Sequence, residues 1–261
     1  MNKMSSVLNA VAGIDATPEA AFIMKQLVTF CADGSPGRIA AEFRIGIGSV
    51  PYLADHGFQD MVVLPGSFYI EMALCVDREL CKRVPRLIRN VSFRNPIILS
   101  AEDTVIKVEV RDRGDSCVEY RFYEVASEDG SAMPSAQQYA AKLDIDRNPS
   151  TSGEPVTDAF SIEAFQARSD TVIDSDAFYK KLRGNGNQYG PSFQKVSSIW
   201  RVGGESLGKL SVTCRDGEIE PHYLHPILLD SVTQLLAPFM IEQGKTFILR
   251  SIEKIHLTDF H

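Results

Sequence analysis

In residues 38–47 every second position is apolar, a period of two that predicts a β-strand with one buried face. These positions are Ile39, Ala41, Phe43, Ile45 and Ile47. The preceding residues 20–30 mix β-branched and helix-forming residues and fit either a helix or a strand.

A break at Pro65 and Gly66 then changes the pattern to a helical one. Six apolar residues at helical spacing cover most sides of the helix they predict: Phe68, Ile70, Met72, Leu74, Cys75 and Val76. A helix that is apolar nearly all round has to be enclosed by other elements. The N–H groups of its first turn lack intrahelical partners, so they suit a carbonyl oxygen that acquires negative charge.

Four strand-like segments separated by Asp-, Gly- and Ser-rich turns follow this helix, at residues 87–99, 104–110, 118–125 and 137–145. One strand, a buried helix and four further strands describe an antiparallel sheet curled around a helix, which is a hot dog fold.

The second half of the chain repeats this order in weaker form. A short capped helix is predicted at 174–182, strands at 197–202 and 207–212, a second apolar helix at 226–240 and a last strand at 247–257. The predicted fold class is therefore α+β, a double hot dog with two antiparallel sheets that each wrap around a central helix.

The two units are expected to be joined by a linker. Residues 147–160 are polar, contain prolines and show no hydrophobic period. We predict an N-terminal hot dog at 1–146, a linker at 147–169 and a C-terminal hot dog at 170–261.

Composition and charge narrow the class of protein. The chain has 261 residues, 44% of them hydrophobic, which supports a substantial core. A net charge of −7 argues against nucleic acid as a partner, because phosphate binding needs a basic face. Five dispersed cysteines favour reduced thiols in the cytoplasm, and residues 1–15 show no signal peptide. No apolar run approaches the length of a membrane span, so no membrane association is predicted.

His56 lies in a polar turn just before the central helix. A turn histidine or a satisfied core histidine is the ordinary interpretation of such a residue. The functional interpretation is a general base, because a buried imidazole stays neutral and can accept a proton near neutral pH.

Asp230 and Gln234 are four residues apart and so share one face of the second apolar helix. A carboxyl among hydrocarbon neighbours favours its protonated form, which a proton donor near neutral pH requires. The structural alternative is an aspartate that stabilises a helix N-terminus, but Asp230 is five residues into the helix.

Tyr189 lies in a turn that leads into a strand, and its hydroxyl could also bind a substrate oxygen. A metal is not expected, because His222 and His225 have a loose spacing and no thiolate partner. A basic run is most simply a solvated helix end, although it could dock an acidic partner. It consists of Arg78, Lys82, Arg83, Arg86 and Arg89.

Two motifs connect these residues with a known family. The segment from His56 to Pro65 resembles the H-x-x-x-G-x-x-x-x-P motif of polyketide synthase dehydratase domains. Tyr189, Gly190 and Pro191 resemble the Y-G-P motif of the same domains.

A third motif completes the resemblance. Asp230 and Gln234, preceded by Leu-His-Pro, are similar to the family's D-x-x-x-Q motif. The motifs occur in the family's order, and the similarity extends from about residue 39 to residue 257. It implies a double hot dog in which the histidine of one unit faces the aspartate of the other across a tunnel.

The resemblance implies a role for each residue in the dehydration of a β-hydroxyacyl thioester. His56 would remove the α-proton, and Asp230 would protonate the departing β-hydroxyl. Gln234 would orient Asp230, Tyr189 would hydrogen-bond the hydroxyl, and the Gly66 N–H next to Pro65 would polarise the thioester carbonyl. No cofactor is expected to be bound, because the substrate arrives on the phosphopantetheine arm of an acyl carrier protein.

The sequence departs from the family pattern at two places. Asp60 replaces the motif glycine, but aspartate tolerates a left-handed backbone. Leu249 and Arg250 stand where the family usually has a proline, which affects the tunnel mouth rather than the chemistry.

Asp60 motivates a second hypothesis, a double-bond isomerase or a cyclase of the same fold. A non-catalytic docking module is a third, which the intact His56 and Asp230 disfavour. The expected partners are an acyl carrier protein and polyketide synthase modules, with a homodimer as a further possibility. The chain is expected to be either an excised module domain or an enzyme that acts in trans.

Overall fold

The computed structural model describes residues 28–32, 39–82, 85–125, 139–148, 160–212, 222–241, 244 and 246–257. Its largest sheet has seven strands, and all neighbouring strands are antiparallel. In spatial order they are β1 (Val28–Ala32), β2 (Ile39–Ile45), β6 (Thr104–Gly114), β7 (Cys117–Val125), β8 (Ala141–Asp146), β5 (Leu87–Phe93) and β13 (Ser251–His256).

The central helix α1 (Gly66–Cys81) packs into this sheet. Every residue from Ser67 to Asp77 is buried, as the apolar pattern predicted. Its side chains join those of β2, β6, β7 and β8 in one hydrophobic core. Each fully buried large apolar side chain contributes about 1.5–3 kcal/mol relative to exposure, so the helix and the sheet stabilise each other.

The second half contains a smaller antiparallel sheet and four helices among the described residues. The strands are β9 (Thr171–Asp174), β11 (Val196–Val202) and β12 (Glu205–Leu210), with β11 in the middle. The helices are α2 (Ile162–Ala167), α3 (Ser175–Gly184), α4 (Pro226–Gln234) and α5 (Pro238–Ile241). The predicted α+β class with antiparallel sheets is confirmed.

Two sets of strands join the halves of the chain. Strand β3 (His56–Phe58) lies between β4 (Met61–Val62) and β10 (Asn187–Tyr189), and Tyr189 is in register with His56. Strand β13, which lies in the range predicted for the second unit, pairs with β5 of the large sheet. These pairings fix the position of the His56 turn relative to the second half.

Several predicted elements are shorter in the structure, among them the strand predicted at 247–257, which is observed at Ser251–His256. The helix predicted at 226–240 ends at Gln234, and Pro238 opens a separate short helix because proline has no N–H for a continuing helix. The strand predicted at 87–99 ends at Phe93, three residues before Pro96.

The predicted linker at 147–169 lies partly outside the described residues, at 149–159. Its last part contains α2, which Ser161 caps by accepting a hydrogen bond from the Ala164 N–H at 3.1 Å. The division into two units on either side of this segment stays a prediction.

The basic run at the end of α1 is partly paired. Lys82 Nζ lies 3.0 Å from Glu79 Oε2, and Arg89 lies 3.5 Å from Asp146 Oδ2. Arg83 lies outside the described residues. Among the helices of the described segments, none is both long and apolar enough to cross a bilayer.

Candidate active site

His56 follows a 3-10 turn, Pro51–Asp55, and opens β3. Its Nδ1 lies 2.8 Å from the backbone carbonyl oxygen of Val63. A carbonyl oxygen can only accept a hydrogen bond, so Nδ1 carries the proton of the neutral ring and donates it. The lone pair of Nε2 is therefore available to accept a proton.

Two aromatic rings enclose the imidazole. The ring centroid of Tyr189 lies 5.4 Å from that of His56, and the centroid of Phe193 lies 5.0 Å away. The His56 side chain is 14% exposed. The ring is thus held in a largely apolar environment with one nitrogen anchored to the backbone.

Asp230 is the fifth residue of α4, and its side chain is largely buried. Its Oδ2 accepts a hydrogen bond of 2.9 Å from Gln234 Nε2, one helical turn further along. Gln234 Nε2 also donates to the Phe193 carbonyl at 3.2 Å. The amide therefore fixes the orientation of the carboxyl group.

Tyr179 of α3 extends this network. Its hydroxyl donates to Gln234 Oε1 at 2.9 Å and accepts from the Val196 N–H at 3.0 Å. These contacts set the orientation of the Gln234 amide, because Oε1 has to face Tyr179 and Nε2 then faces Asp230. Burial raises the pKa of Tyr179 above its usual range, so the phenol keeps its proton.

The histidine and the aspartate meet across the two halves of the chain. His56 Nε2 lies 3.6 Å from Asp230 Oδ1, the carboxyl oxygen that does not bond Gln234. The Asp230 side chain is 10% exposed. A proton acceptor and a carboxyl group thus lie next to each other, and both side chains are mostly buried.

Tyr189 lies beside this pair. Burial, followed by the charge of Asp230 and the neighbouring Tyr179, raises the pKa of Tyr189 well above its usual range. The phenol therefore remains protonated and can donate a hydrogen bond. A side-chain hydrogen bond with Asn187 has a smaller, opposite effect.

Gly190 and Pro191 form the turn after Tyr189, and Pro191 is exposed. The Gly190 N–H donates to the Asp55 carbonyl at 2.7 Å, and the Ser192 N–H donates to Asp55 Oδ2 at 2.8 Å. A Cβ at Gly190 would lie 2.2 Å from Asp55 Oδ1, so only glycine fits there. Asp55 precedes His56, so this turn fixes the histidine's backbone to the second half.

Pro65 and Gly66 start α1, two and three residues after Val63. Pro65 is the N-cap residue and Gly66 is the first helical residue, so the Gly66 N–H has no partner within the helix. A Cβ at Gly66 would lie 2.9 Å from Phe93 Cζ, which explains the glycine by close packing.

Asp60 adopts the left-handed backbone expected of a glycine replacement, with φ of 63°, and this part of the prediction is confirmed. It is exposed. Its Oδ1 accepts from Gln188 Nε2 at 2.7 Å, and its N–H donates to Gln188 Oε1 at 2.7 Å. The carboxylate of Asp60 thus bonds the neighbouring strand rather than His56.

Sequence reasoning missed two polar residues of this region, Tyr179 and Glu71. Tyr179 follows Phe178 in an amphipathic helix, where an aromatic residue is typical of core packing. Glu71 carried a clearer signal, as a glutamate in the interior of an apolar helix.

The described residues contain no group of three or more histidine, cysteine, aspartate or glutamate side chains that could hold a metal ion.

Comparisons with known proteins agree with these motifs. Residues 31–125 match the family model described as "Polyketide synthase dehydratase domain". Residues 157–259 match the one described as "Polyketide synthase dehydratase N-terminal domain". Together the two matches span most of the chain.

Relatives and solved structures extend this agreement. Polyketide synthase GfsE of Streptomyces halstedii is 29% identical over 205 residues, which are 77% of this chain but 5% of the relative's length. The dehydratase domain from the CurF module of curacin polyketide synthase has a similar fold, with a TM-score of 0.75 at 20% identity over 88% of this chain and 81% of that one. A dehydratase domain of a mycocerosic acid synthase-like polyketide synthase gives a TM-score of 0.73 at 18% identity, over 94% and 82% of the two chains.

The chain belongs to the polyketide synthase dehydratase family, and the predicted double hot dog is confirmed. The activity that this membership supports is dehydration of β-hydroxyacyl intermediates in polyketide synthesis, and the dehydratase domains of the family are hydro-lyases.

Proposed function

We propose that this chain eliminates water from a β-hydroxyacyl thioester, with His56 as the base and Asp230 as the acid. The observation that carries the proposal is the distance of 3.6 Å between His56 Nε2 and Asp230 Oδ1, two atoms of mostly buried side chains. Elimination needs one group that accepts a proton and one that donates a proton at adjacent carbons, and this pair supplies both.

In the first part of the reaction, Nε2 of His56 takes the proton from the α-carbon. The hydrogen bond from Nδ1 to the Val63 carbonyl supports this role, because it stabilises the imidazolium that forms. The N–H of Gly66 at the start of α1 would stabilise negative charge on the thioester oxygen, aided by the positive end of the helix.

In the second part, Asp230 gives its proton to the β-hydroxyl group as the carbon–oxygen bond breaks. The products are water and an α,β-unsaturated thioester. Gln234 holds the opposite carboxyl oxygen, and the protonated Tyr189 can donate a hydrogen bond to the leaving hydroxyl. The Cα–H and Cβ–O bonds have then broken, and a carbon–carbon double bond has formed.

Elimination leaves an imidazolium next to a carboxylate. Because the two groups are 3.6 Å apart, the proton can return from His56 Nε2 to Asp230 Oδ1 after water departs. This transfer would restore the starting protonation of both groups without help from bulk solvent.

The CurK dehydratase supports the choice of these two residue types. Its structures include an inactive mutant in which a histidine is replaced by phenylalanine and another in which an aspartate is replaced by asparagine. The two share the fold of this chain at TM-scores of 0.71 and 0.72 and 18% identity.

We further propose that the substrate arrives on the phosphopantetheine arm of an acyl carrier protein, and that polyketide synthase modules are the partners. The relatives that support this proposal are polyketide synthase components, such as erythronolide synthase EryA2 of Saccharopolyspora erythraea. A homodimer is part of the same proposal.

The test is incubation with β-hydroxyacyl pantetheine thioesters of several chain lengths, followed by mass spectrometry. The expected result is loss of one water, which disappears in the variants His56→Ala and Asp230→Asn. Conversion without a change in mass would instead indicate an isomerase or cyclase. The observation that prompted that alternative, the carboxylate of Asp60, does not favour it, because Asp60 is exposed and bonds Gln188.

A further inference from the structure

Glu71 is a buried carboxyl group that the proposed reaction does not use. It lies on α1 between apolar residues and is 0% exposed. Burial of a carboxylate is costly unless hydrogen bonds compensate for the lost water. A specific contact is therefore expected at this position.

Two backbone N–H groups of the second half make that contact. Glu71 Oε1 accepts from the Tyr223 N–H at 2.8 Å, and Oε2 accepts from the Leu224 N–H at 2.8 Å. Both residues directly precede His225, the N-cap residue of α4. One side chain thus fixes two successive peptide groups at the entrance to the helix that carries Asp230.

Helix α1, which carries Glu71, is also connected to His56 through its N-terminal end. The Val63 carbonyl that accepts from His56 Nδ1 lies three residues before Gly66, where α1 begins. Glu71 lies five residues further, about 7.5 Å along the helix axis. The short segment from Val63 to Glu71 therefore connects the two anchoring groups. The Val63 carbonyl holds His56, and the Glu71 carboxyl holds the entrance to α4, the helix that carries Asp230.

We infer that Glu71 is a positioning residue for the His56–Asp230 pair: by holding residues 223 and 224, it sets where α4 begins and hence how far Asp230 lies from His56. This inference rests on the proposed function. Burial raises the pKa of Glu71 to about 8, and the hydrogen bonds from the Leu224 and Tyr223 N–H groups offset part of this shift.

Asp77 offers a matched control on the same helix. It is 1% exposed, and its Oδ1 accepts from the Tyr120 hydroxyl at 2.7 Å and from Arg147 Nε at 2.8 Å. Both partners lie outside α4 and outside the segment that leads into it. Asp77→Asn therefore perturbs a buried carboxyl of α1 without touching the entrance to α4.

The test compares Glu71→Gln with Asp77→Asn by hydrogen exchange and by kinetics. The comparison is made above pH 8, where Glu71 is a carboxylate whose two oxygens both accept. The side-chain amide that Glu71→Gln introduces accepts at one oxygen only, and its NH₂ group opposes a backbone donor, so one of the two bonds is lost. We expect at least one of the Tyr223 and Leu224 amides to exchange about two- to tenfold faster in Glu71→Gln, because one of the two hydrogen bonds that protect them is lost. We expect kcat to fall by about tenfold or more with little change in KM, because small displacements of catalytic groups lower the rate strongly.

Asp77→Asn should lower the melting temperature while leaving the exchange of residues 223 and 224 and kcat close to wild type. Equal effects of the two variants on kcat and on these amides would overturn the inference. If Glu71→Gln does not fold, Glu71→Asp replaces it with the same readouts, because it keeps the carboxyl group but withdraws it from the two N–H groups. If the wild-type protein eliminates no water, the proposed function is overturned. If Glu71→Gln still speeds the exchange of the amides at 223 and 224 in that case, the anchoring of α4 by Glu71 stands.

Discussion

The two halves of the molecule hold the two candidate catalytic side chains, His56 and Asp230, by different means. His56 is fixed through backbone atoms: the Val63 carbonyl binds its Nδ1, and strand pairing with Tyr189 fixes its main chain. Asp230 is fixed through side chains, because Gln234 binds its carboxyl and Tyr179 binds Gln234. Substitutions of neighbouring side chains should therefore disturb Asp230, the proposed acid, more readily than His56, the proposed base.

The largest effect is expected when either functional group is removed. His56→Ala and Asp230→Asn should each lower kcat/KM by about 10²–10⁴-fold, the usual contribution of a general base or acid. Asp230→Asn should fold at least as well as wild type, because an amide replaces a largely buried carboxyl group with little change in shape. Steady-state kinetics and thermal unfolding check both statements, and a large fall in melting temperature for Asp230→Asn would instead indicate a structural aspartate.

A smaller loss is expected when the network behind Asp230 is cut. Tyr179→Phe removes the hydroxyl that bonds Gln234 Oε1, so only the bond from Nε2 to the Phe193 carbonyl still holds the amide with its Nε2 towards Asp230. We expect kcat to fall by about tenfold with KM nearly unchanged, because the orientation of the acid matters most in the transition state. An unchanged kcat in a correctly folded variant would show that Gln234 needs no second support.

The turn between the halves should respond mainly in stability. Gly190→Ala places a Cβ 2.2 Å from Asp55 Oδ1, so the side chain or the turn has to move. The expected cost is about 1–3 kcal/mol in the free energy of unfolding, measured by urea denaturation. Gly203→Ala tests a different cause of destabilisation. A Cβ at Gly203 meets open space, but the φ of 53° is strained for a residue with a side chain. A Gly190→Ala variant as stable as wild type would contradict the contact with Asp55.

The pH dependence of stability should report on Glu71. Burial raises its pKa in the folded protein to about 8 from an ordinary value of 4.5. The folded state therefore binds this proton more tightly than the unfolded state, and stability falls as the pH rises from 4.5 to about 8. Thermal unfolding across this range should show wild type losing stability relative to Glu71→Gln, and parallel curves for the two proteins would argue against the raised pKa.

The smallest effect is expected at the residue that anchors His56. Val63→Ala leaves the backbone carbonyl in place, so kcat should stay within about twofold of wild type. A loss comparable with that of Tyr179→Phe would show that the base also depends on side-chain packing, which would remove the contrast between the halves.

Some residues of the site could be recognised from the sequence, and others could not. Asp230 was visible because a carboxyl within an apolar helix is unusual, and the apolar period of α1 predicted its complete burial. Tyr179 was hidden, because an aromatic residue next to Phe178 is typical of a core, and its hydroxyl contact depends on packing against α4. The partners of Glu71 lie 152 and 153 positions away in the chain, beyond the reach of any local pattern.

The helix predicted at 226–240 is interrupted for a local reason that hydrophobic composition alone does not show. All positions from Leu235 to Ala237 are apolar and suit a helix, but Pro238 cannot donate to the preceding turn. The pairing of β13 with β5 could not be predicted from the sequence, because the pattern of a single strand does not specify which strand lies beside it.

The most direct test of the central claim is a double-mutant comparison of kcat/KM for water loss. Wild type, His56→Ala, Asp230→Asn and the double variant are measured with the same β-hydroxyacyl pantetheine thioester. If the imidazole and the carboxyl act as one unit across the 3.6 Å gap, the double variant should be no slower than the slower single variant. Losses that multiply, or a single variant that retains wild-type water loss, would contradict it.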